Sequence, residues 1–418
     1  MNSIQYLIAH MIKQPIFNLG CLGSVSDGKS TLVKMLSGIE TQKDSREKVR
    51  NITINQGFGN MKIFNVNHTN DYITTDSNTD EIADHTLVNH ISFVDCPGHM
   101  ELIKTTLGAI ELMDGAIVVI AVDQPLTMKP QLAQHLAAAK LGNLKKIIIC
   151  MNKIDLVDKM TLMKRKEELD RMLSLYDIKP YYIIPTCFNK KIGFNYIVQA
   201  IMELFNPNEI INSDKPPLFS ISRTFDINKP GTDWTDVVGG VIGGTLMTGI
   251  ININDILEIR PGIISRNQQK KLVWQPINIT INSIKTDSTS LDMALPGGLV
   301  GLGTDIDPYY CKKNGLVGHI VGIKGMMPNV YSEINIKISF DESKIFGFSW
   351  VPKIKDNIVL KIGTHMSDAK LSEIKTDKYI FELNKPVCIQ DMENIIICKE
   401  IEKILRVVGI ATFIYSEN

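Results

Sequence analysis

Residues 23–30 read Gly-Ser-Val-Ser-Asp-Gly-Lys-Ser and fit the spacing G-x-x-x-x-G-K-[ST] at every fixed position. The pattern restricts the fold because it works in only one setting, with a strand before it and a helix opening on it. Both are legible: 16–22 is an apolar strand, and 29–37 reads as a helix. Glycines let backbone N–H groups turn inward around phosphate oxygens, and the helix N-terminus adds the positive end of its dipole. Lys29 then reaches the β- and γ-phosphates, and the Ser30 hydroxyl ligates magnesium, a hard ion that prefers oxygen. Ser26, Asp27, Gly28 and Thr31 complete the phosphate-facing segment.

Two further motifs follow at strand ends. Asp95-Cys96-Pro97-Gly98 comes directly after the apolar run 91–94, where a carboxylate can hold magnesium through water and Gly98 can offer an N–H to a γ-phosphate. Asn152-Lys153-Ile154-Asp155 follows the strand 147–151. A carboxylate at 155 can accept from both N1–H and the 2-amino group of guanine, and adenine has no such donor pair. Each motif alone is weak; spaced in this order they specify a guanine nucleotide.

The first half alternates strands (16–22, 90–94, 116–122, 145–151, 181–185) with helices (29–37, 131–141, 162–175, 195–205). That alternation predicts a mostly parallel sheet covered on both faces. The polar stretch 66–85 reads as an exposed loop. After Lys215-Pro216-Pro217 the pattern becomes β-branched runs punctuated by glycine, at 236–253, 256–261, 277–284, 297–303 and 316–323. A break at Gly325-Met326-Met327-Pro328 precedes a second β series at 332–338, 357–362, 379–383 and 404–413. The expected fold is an α/β P-loop domain (1–212) followed by two β-barrels (213–327 and 328–418).

Composition sets limits on the rest. The 45 basic and 45 acidic residues cancel, so nucleic acid, if bound, is held by local patches or by shape. Basic pairs at Lys190-Lys191, Lys270-Lys271 and Lys312-Lys313 are candidates, though such pairs also suit solvated turns. Apolar runs such as 115–122 fall short of a membrane span, and 1–15 lacks the charged start and cleavage site of a secretory leader. Seven cysteines with no C-x-x-C pair read as reduced thiols of a cytoplasmic protein with no membrane partner.

Asp95-Cys96-Pro97-Gly98-His99 and Arg50-Asn51-Ile52-Thr53-Ile54 resemble the third motif and switch I of the elongation factor Tu superfamily of translational GTPases. The resemblance implies that Thr53 closes on magnesium and γ-phosphate with GTP bound, giving Ser30 and Thr53 as the metal ligands. It implies that His99 orients the attacking water, with Val25 on one side of a hydrophobic gate. Alone, His99 would be a surface-loop histidine, and Thr53 would carry no signal.

Within that superfamily the chain is most similar to the gamma-subunit family of translation initiation factor 2. Ser222-Arg223-Thr224-Phe225-Asp226-Ile227-Asn228-Lys229-Pro230-Gly231 resembles the segment that opens its first barrel, and 299–308 its L-I-G-V-G-T-x-I-D-P stretch. The resemblance implies GTP or GDP with Mg2+ as ligands and slow GTP hydrolysis that waits for an activating partner. It implies alpha and beta subunits in a heterotrimer, alpha on the first barrel and beta on the GTPase domain. Initiator methionyl-tRNA, the small ribosomal subunit, and GTPase-activating and nucleotide-exchange factors are the other implied partners.

The chain departs from the family pattern in several places. Ser26-Asp27 replace an Ala-His pair before Gly-Lys-Ser. Cys187 and Phe188 align with the Ser-Ala of the fifth motif, although a register one residue earlier is open. The cysteine-rich knuckle before the third motif is replaced by a cysteine-free segment, so no zinc is expected. The N-terminal extension of eukaryotic members is short here. Two other readings remain: a carrier of elongator or selenocysteine tRNA, and a GTP switch outside translation.

Overall fold

In the first half, strands rich in Val and Ile must be covered on both faces, and the computed structural model shows how. It describes residues 13–40, 57–66, 71–76, 79, 82–97, 103–206, 214–287, 289–339, 350–376, 378–390, 392–402 and 404–414. They divide into two compact units, Met1–Ile210 and Ile211–Asn418.

In the first unit β1 (Phe17–Leu22) lies parallel to β4 (His85–Asp95) on one side and β5 (Gly115–Ala121) on the other. β6 (Lys146–Asn152) and β7 (Tyr182–Pro185) continue the parallel order outward. Every residue of β1 and β5 is buried, which explains their unbroken apolar runs: a strand covered on both faces has no solvent side to alternate with. The other edge is antiparallel, with β2 (Gly57–Val66) on β4 and β3 (Tyr72–Asp76) on β2. The sheet is therefore mixed, in the order β3-β2-β4-β1-β5-β6-β7.

This corrects the reading of 66–85 as a loop. Tyr72–Asp76 is an edge strand whose Tyr-Ile-Thr-Thr-Asp sequence is only half covered, and β4 begins at His85. β2 escaped the sequence reading because Asn60 and Lys62 are buried within it and interrupt its apolar run.

Among the described residues five helices cover the sheet: α1 (Lys29–Ser37), α2 (Ile103–Ile110), α3 (Pro130–Leu141), α4 (Lys159–Leu175) and α5 (Phe194–Leu204). Their ends follow local chemistry. Gly38 stops α1 with φ +71° and donates its N–H to the Lys34 carbonyl. Pro130 opens α3, where a missing N–H costs nothing, and the Asp158 carboxylate caps α4 by accepting from the Thr161 N–H. Among the described residues no helix is long and apolar enough to cross a membrane.

The second unit is all antiparallel. β8 (Leu218–Phe225), β9 (Val241–Thr248), β11 (Ile256–Arg266), β12 (Leu272–Thr286), β15 (Val300–Thr304) and β16 (Ile320–Gly322) close into a ring, with β10 (Ile251–Asn252), β13 (Thr289–Leu291) and β14 (Met293–Ala294) as short additions. β17 (Val330–Ser339), β18 (Asn357–Ile362), β19 (His365–Ile374), β20 (Tyr379–Cys388), β21 (Asn394–Ile401) and β22 (Ile404–Phe413) form a second closed barrel. Closure gives each of the six strands in a ring a neighbour on both sides, so the rings have no edge strand of their own. Each barrel has its own apolar core, Ile221, Ile242 and Leu302 in the first and Leu360, Phe381 and Ile397 in the second.

What matters for function is where the parallel strands end. β1, β4, β6 and β7 run in one direction, so the loops after them emerge at one edge of the sheet. The phosphate loop after β1, Asp95 at the end of β4, the Asn152–Asp155 segment beginning at the end of β6, and Cys187 after β7 all lie at that edge.

Candidate nucleotide site

The loop after β1 takes backbone conformations that side chains resist. Gly23 has φ +139°, and a Cβ there would lie 2.2 Å from the Val119 carbonyl oxygen. Gly28, at φ +109°, would drive a Cβ to 2.6 Å from Asn152 Nδ2 and 3.2 Å from the Phe188 ring. Both positions therefore require glycine. Ser26 between them is also left-handed, at φ +63°. Such alternation aims successive N–H groups into one concavity, and the first turn of α1 adds amides that have no intrahelical acceptor.

Several side chains fix this backbone from beneath. His135, on α3, accepts the Gly23 N–H at Nδ1, 3.0 Å away. Burial, and then the charge of Lys29, push its imidazole down to about 3, so the ring stays neutral and keeps its acceptor. Asp27 Oδ2 accepts the Ser24 N–H at 2.9 Å, and its Oδ1 takes the Lys129 ammonium at 2.5 Å. Asn152 Nδ2 donates to the Asp27 carbonyl at 2.9 Å, which joins the base motif to the phosphate loop.

Lys29 is buried and donates to the Ser24 carbonyl at 2.7 Å. One of its three N–H donors is thereby used and two remain for phosphate oxygens. Burial lowers its pKa, opposed by the carboxylates of Asp95 and Asp27. Ser30 donates its hydroxyl proton to Asp95 Oδ2 at 2.7 Å. That commits the proton to Asp95 and orients the hydroxyl oxygen as an acceptor, as an outer-shell carboxylate does for a metal ligand. A hydroxyl and a carboxylate are hard oxygen donors, so the residues present fit magnesium.

At the base end, Asp155 stands in a short turn after β6. Its carboxylate is held below the usual range by a hydrogen bond from the Cys187 thiol and then by Lys190, whose Nζ is 3.1 Å away. Burial, then the Asp155 hydrogen bond, raise the Cys187 thiol. The Phe188 N–H donates to Asn152 Oδ1 at 3.3 Å, and the Thr186 carbonyl accepts the Ile154 N–H at 3.2 Å. The Thr186 hydroxyl donates to the Met151 carbonyl at 3.3 Å. Lys153 is left-handed at φ +63°, and its ammonium reaches Asp123 Oδ2 at 3.1 Å.

The structure brings together Ser26, Asp27, Gly28, Lys29, Ser30 and Thr31 with Asp95, Asn152, Lys153, Asp155, Cys187 and Phe188. Thr53, Gly98 and His99 lie outside the described residues. Lys190 and Lys312 are engaged by Asp155 and Asp226, and Lys191, Lys270 and Lys313 sit in left-handed turns. Sequence reasoning missed Lys129, His135 and Asp123. His135 had a signal, since it shares the buried face of α3 with Leu132, Leu136 and Ala139. Lys129 and Asp123 had none in a single sequence.

Residues 14–207 match the family described as "Elongation factor Tu GTP binding domain", and 348–413 match "Initiation factor eIF2 gamma, C terminal". The chain is 35% identical over 414 residues to the eukaryotic translation initiation factor 2 subunit gamma of Encephalitozoon cuniculi, covering 96% of this chain and 92% of that one. It is 33% identical over 405 residues to the translation initiation factor 2 subunit gamma of Methanocaldococcus jannaschii, covering 96% and 98%. Among solved structures, the elongation factor SelB of Methanococcus maripaludis, in complex with the GTP analogue GppNHp, superposes with TM-score 0.71 at 20% identity, covering 97% of this chain and 80% of that one. A bacterial selenocysteine-specific elongation factor superposes with TM-score 0.72 at 19% identity; the chain, 96% covered, spans 58% of it. At such identities the likeness is one of fold.

Replacing Asp155 by Asn exchanges an acceptor for a donor against guanine. An unmatched polar group costs roughly 1–3 kcal/mol, about 10- to 100-fold in affinity. Xanthosine diphosphate, with oxygen in place of the 2-amino group, should overtake GDP in equilibrium binding to Asp155→Asn. A variant that still prefers GDP would refute the role given to Asp155.

Proposed function

The chain belongs to the gamma-subunit family of translation initiation factor 2 and is a translational GTPase, and from that premise we propose that it is the nucleotide-binding core of an initiation factor. In this reading it joins alpha- and beta-type subunits, carries methionyl initiator tRNA to the small ribosomal subunit in its GTP form, and hydrolyses GTP when a start site is selected. It works in the cytoplasm as three domains, 1–212, 213–327 and 328–418. The observation that supports it best is the joining of phosphate loop and base motif through Asn152 and Asp27, in a chain similar over nearly its whole length to gamma subunits.

In this reading the roles of the described residues rest on the site's geometry, and those of Thr53, Gly98 and His99 on the family resemblance. Backbone amides of 26–31 and the Lys29 ammonium take the phosphates, and Ser30, oriented by Asp95, offers its oxygen to magnesium together with Thr53. Magnesium held there by Ser30 and Thr53 would supply positive charge to offset that of the phosphates. Gly98 gives an N–H to the γ-phosphate. Asn152 and Lys153 shape the base pocket, Asp155 reads guanine, and Cys187 and Phe188 hold Asp155 and Asn152 in place. Thr53 links the γ-phosphate to switch I, whose ordering couples nucleotide to tRNA affinity. His99 orients water, and a GTPase-activating and an exchange factor set the pace of the cycle.

Three measurements test this reading. Reconstitution with alpha- and beta-type subunits should give a complex that retains methionyl initiator tRNA with GTP and releases it with GDP. Retention of elongator or selenocysteine tRNA instead would transfer the protein to the carrier class, and no tRNA at all to a switch outside translation. His99→Ala should slow single-turnover hydrolysis on the small ribosomal subunit, activating factor present, by at least about tenfold with tRNA still bound; an unchanged rate removes His99 from the mechanism. Elemental analysis should find magnesium with nucleotide and no stoichiometric zinc, and one zinc per chain would show that another ligand set replaces the knuckle.

A further inference from the structure

Asp27 and Lys129 stand 102 positions apart in the chain, yet their side chains meet at 2.5 Å with only 1% and 8% of each exposed. The other polar groups of Asp27 are also partnered: Oδ2 accepts the Ser24 N–H, the carbonyl accepts Asn152 Nδ2, and the N–H donates to the Ser24 carbonyl at 3.3 Å. Lys129 immediately precedes α3, and six residues on His135 accepts the Gly23 N–H. One helix therefore fastens both ends of the phosphate loop, at Gly23 through an imidazole and at Asp27 through an ion pair. The position of Asp27 is also where the chain departs from the Ala-His of the resembled family.

A carboxylate inside a phosphate loop is an electrostatic problem. It has the sign of the ligand, and in a buried setting like charges a few ångströms apart repel strongly. We propose that Lys129 is a positioning residue for the nucleotide: by pairing with Asp27 it cancels that charge and locks the backbone of residues 23–28 in the form that receives phosphate. A chain with an acid at 27 thus requires a cation at 129. The inference rests on reading 23–30 as the phosphate site, and failure of the parent protein to bind GDP would refute that reading instead.

The test is a double-mutant cycle read by GDP binding and by the GDP dissociation rate, with the melting midpoint of the nucleotide-free protein recorded for every variant. Lys129→Met leaves Asp27 bare, and GDP affinity should fall at least about tenfold with faster dissociation. Asp27→Asn added to Lys129→Met removes the bare charge and should regain at least about threefold, read at a temperature where the melting midpoints show every variant folded so that recovered fold stability does not enter. Should Lys129→Met fail to fold, Lys129→Gln, which can still donate to Asp27 without charge, should bind GDP about threefold or more weakly than the parent. GDP affinity within about twofold of the parent in the variant that folds overturns the proposal, as does a double variant no better than Lys129→Met.

Discussion

The nucleotide site depends on one stretch of backbone, residues 23–28, held in conformations that an unconstrained chain avoids. Two glycines make those conformations accessible, and Ser26 adopts one although it carries a side chain. Accessible is not the same as held. Holding comes from groups that the loop does not contain: His135 on Gly23, Lys129 through Asp27, and Asn152 on the Asp27 carbonyl. Left-handed and otherwise strained backbone persists where its surroundings over-determine it, as these three contacts do here. Preorganisation of this kind lowers the ordering cost of binding.

The same contacts explain how separate motifs act as one site. Parallel strands deliver their loops to one sheet edge, but proximity alone would leave the loops independent. Asn152 removes that independence: its amide nitrogen serves the phosphate loop, and its amide oxygen accepts from Phe188 in the segment that holds Asp155. Asp95 does likewise for the metal, since its carboxylate takes the Ser30 proton across the boundary between β4 and α1. Each bridging group is buried or nearly so, where a hydrogen bond left unmade is expensive. The second unit contributes none of these atoms. Its two closed barrels have apolar cores of their own.

Contiguous spacing made the centre of the site legible. Lys29, Ser30, Asp95, Asn152 and Asp155 belong to short patterns whose chemistry follows from residue type, and β5 could be read directly because it is apolar throughout. What the sequence concealed was pairing across long separations. Lys129 looks like an ordinary lysine before a proline until the fold sets it against Asp27. In β19 the buried positions are Ser367, Ala369 and Leu371, so small residues mask the alternation that a strand reading needs. β2 hid for the opposite reason, carrying Lys62 and Asn60 into a buried sheet. The thiol of Cys187, which holds the Asp155 carboxylate below its usual range, likewise gives no sign of that role in the sequence.

The central claim is that the phosphate loop is folded for its ligand in advance, and a pair of crystal structures of the parent protein, without nucleotide and with GDP and magnesium, tests it most directly. The account predicts that the backbone of 23–30 superposes within about 0.5 Å between the two, the margin that a preorganised site requires. It further predicts that His135, Lys129 and Asn152 keep their partners and that magnesium lies about 2.0–2.1 Å from Ser30 Oγ. A loop that refolds on binding, or one from which Asp27 leaves Lys129 to make room for phosphate, would contradict it.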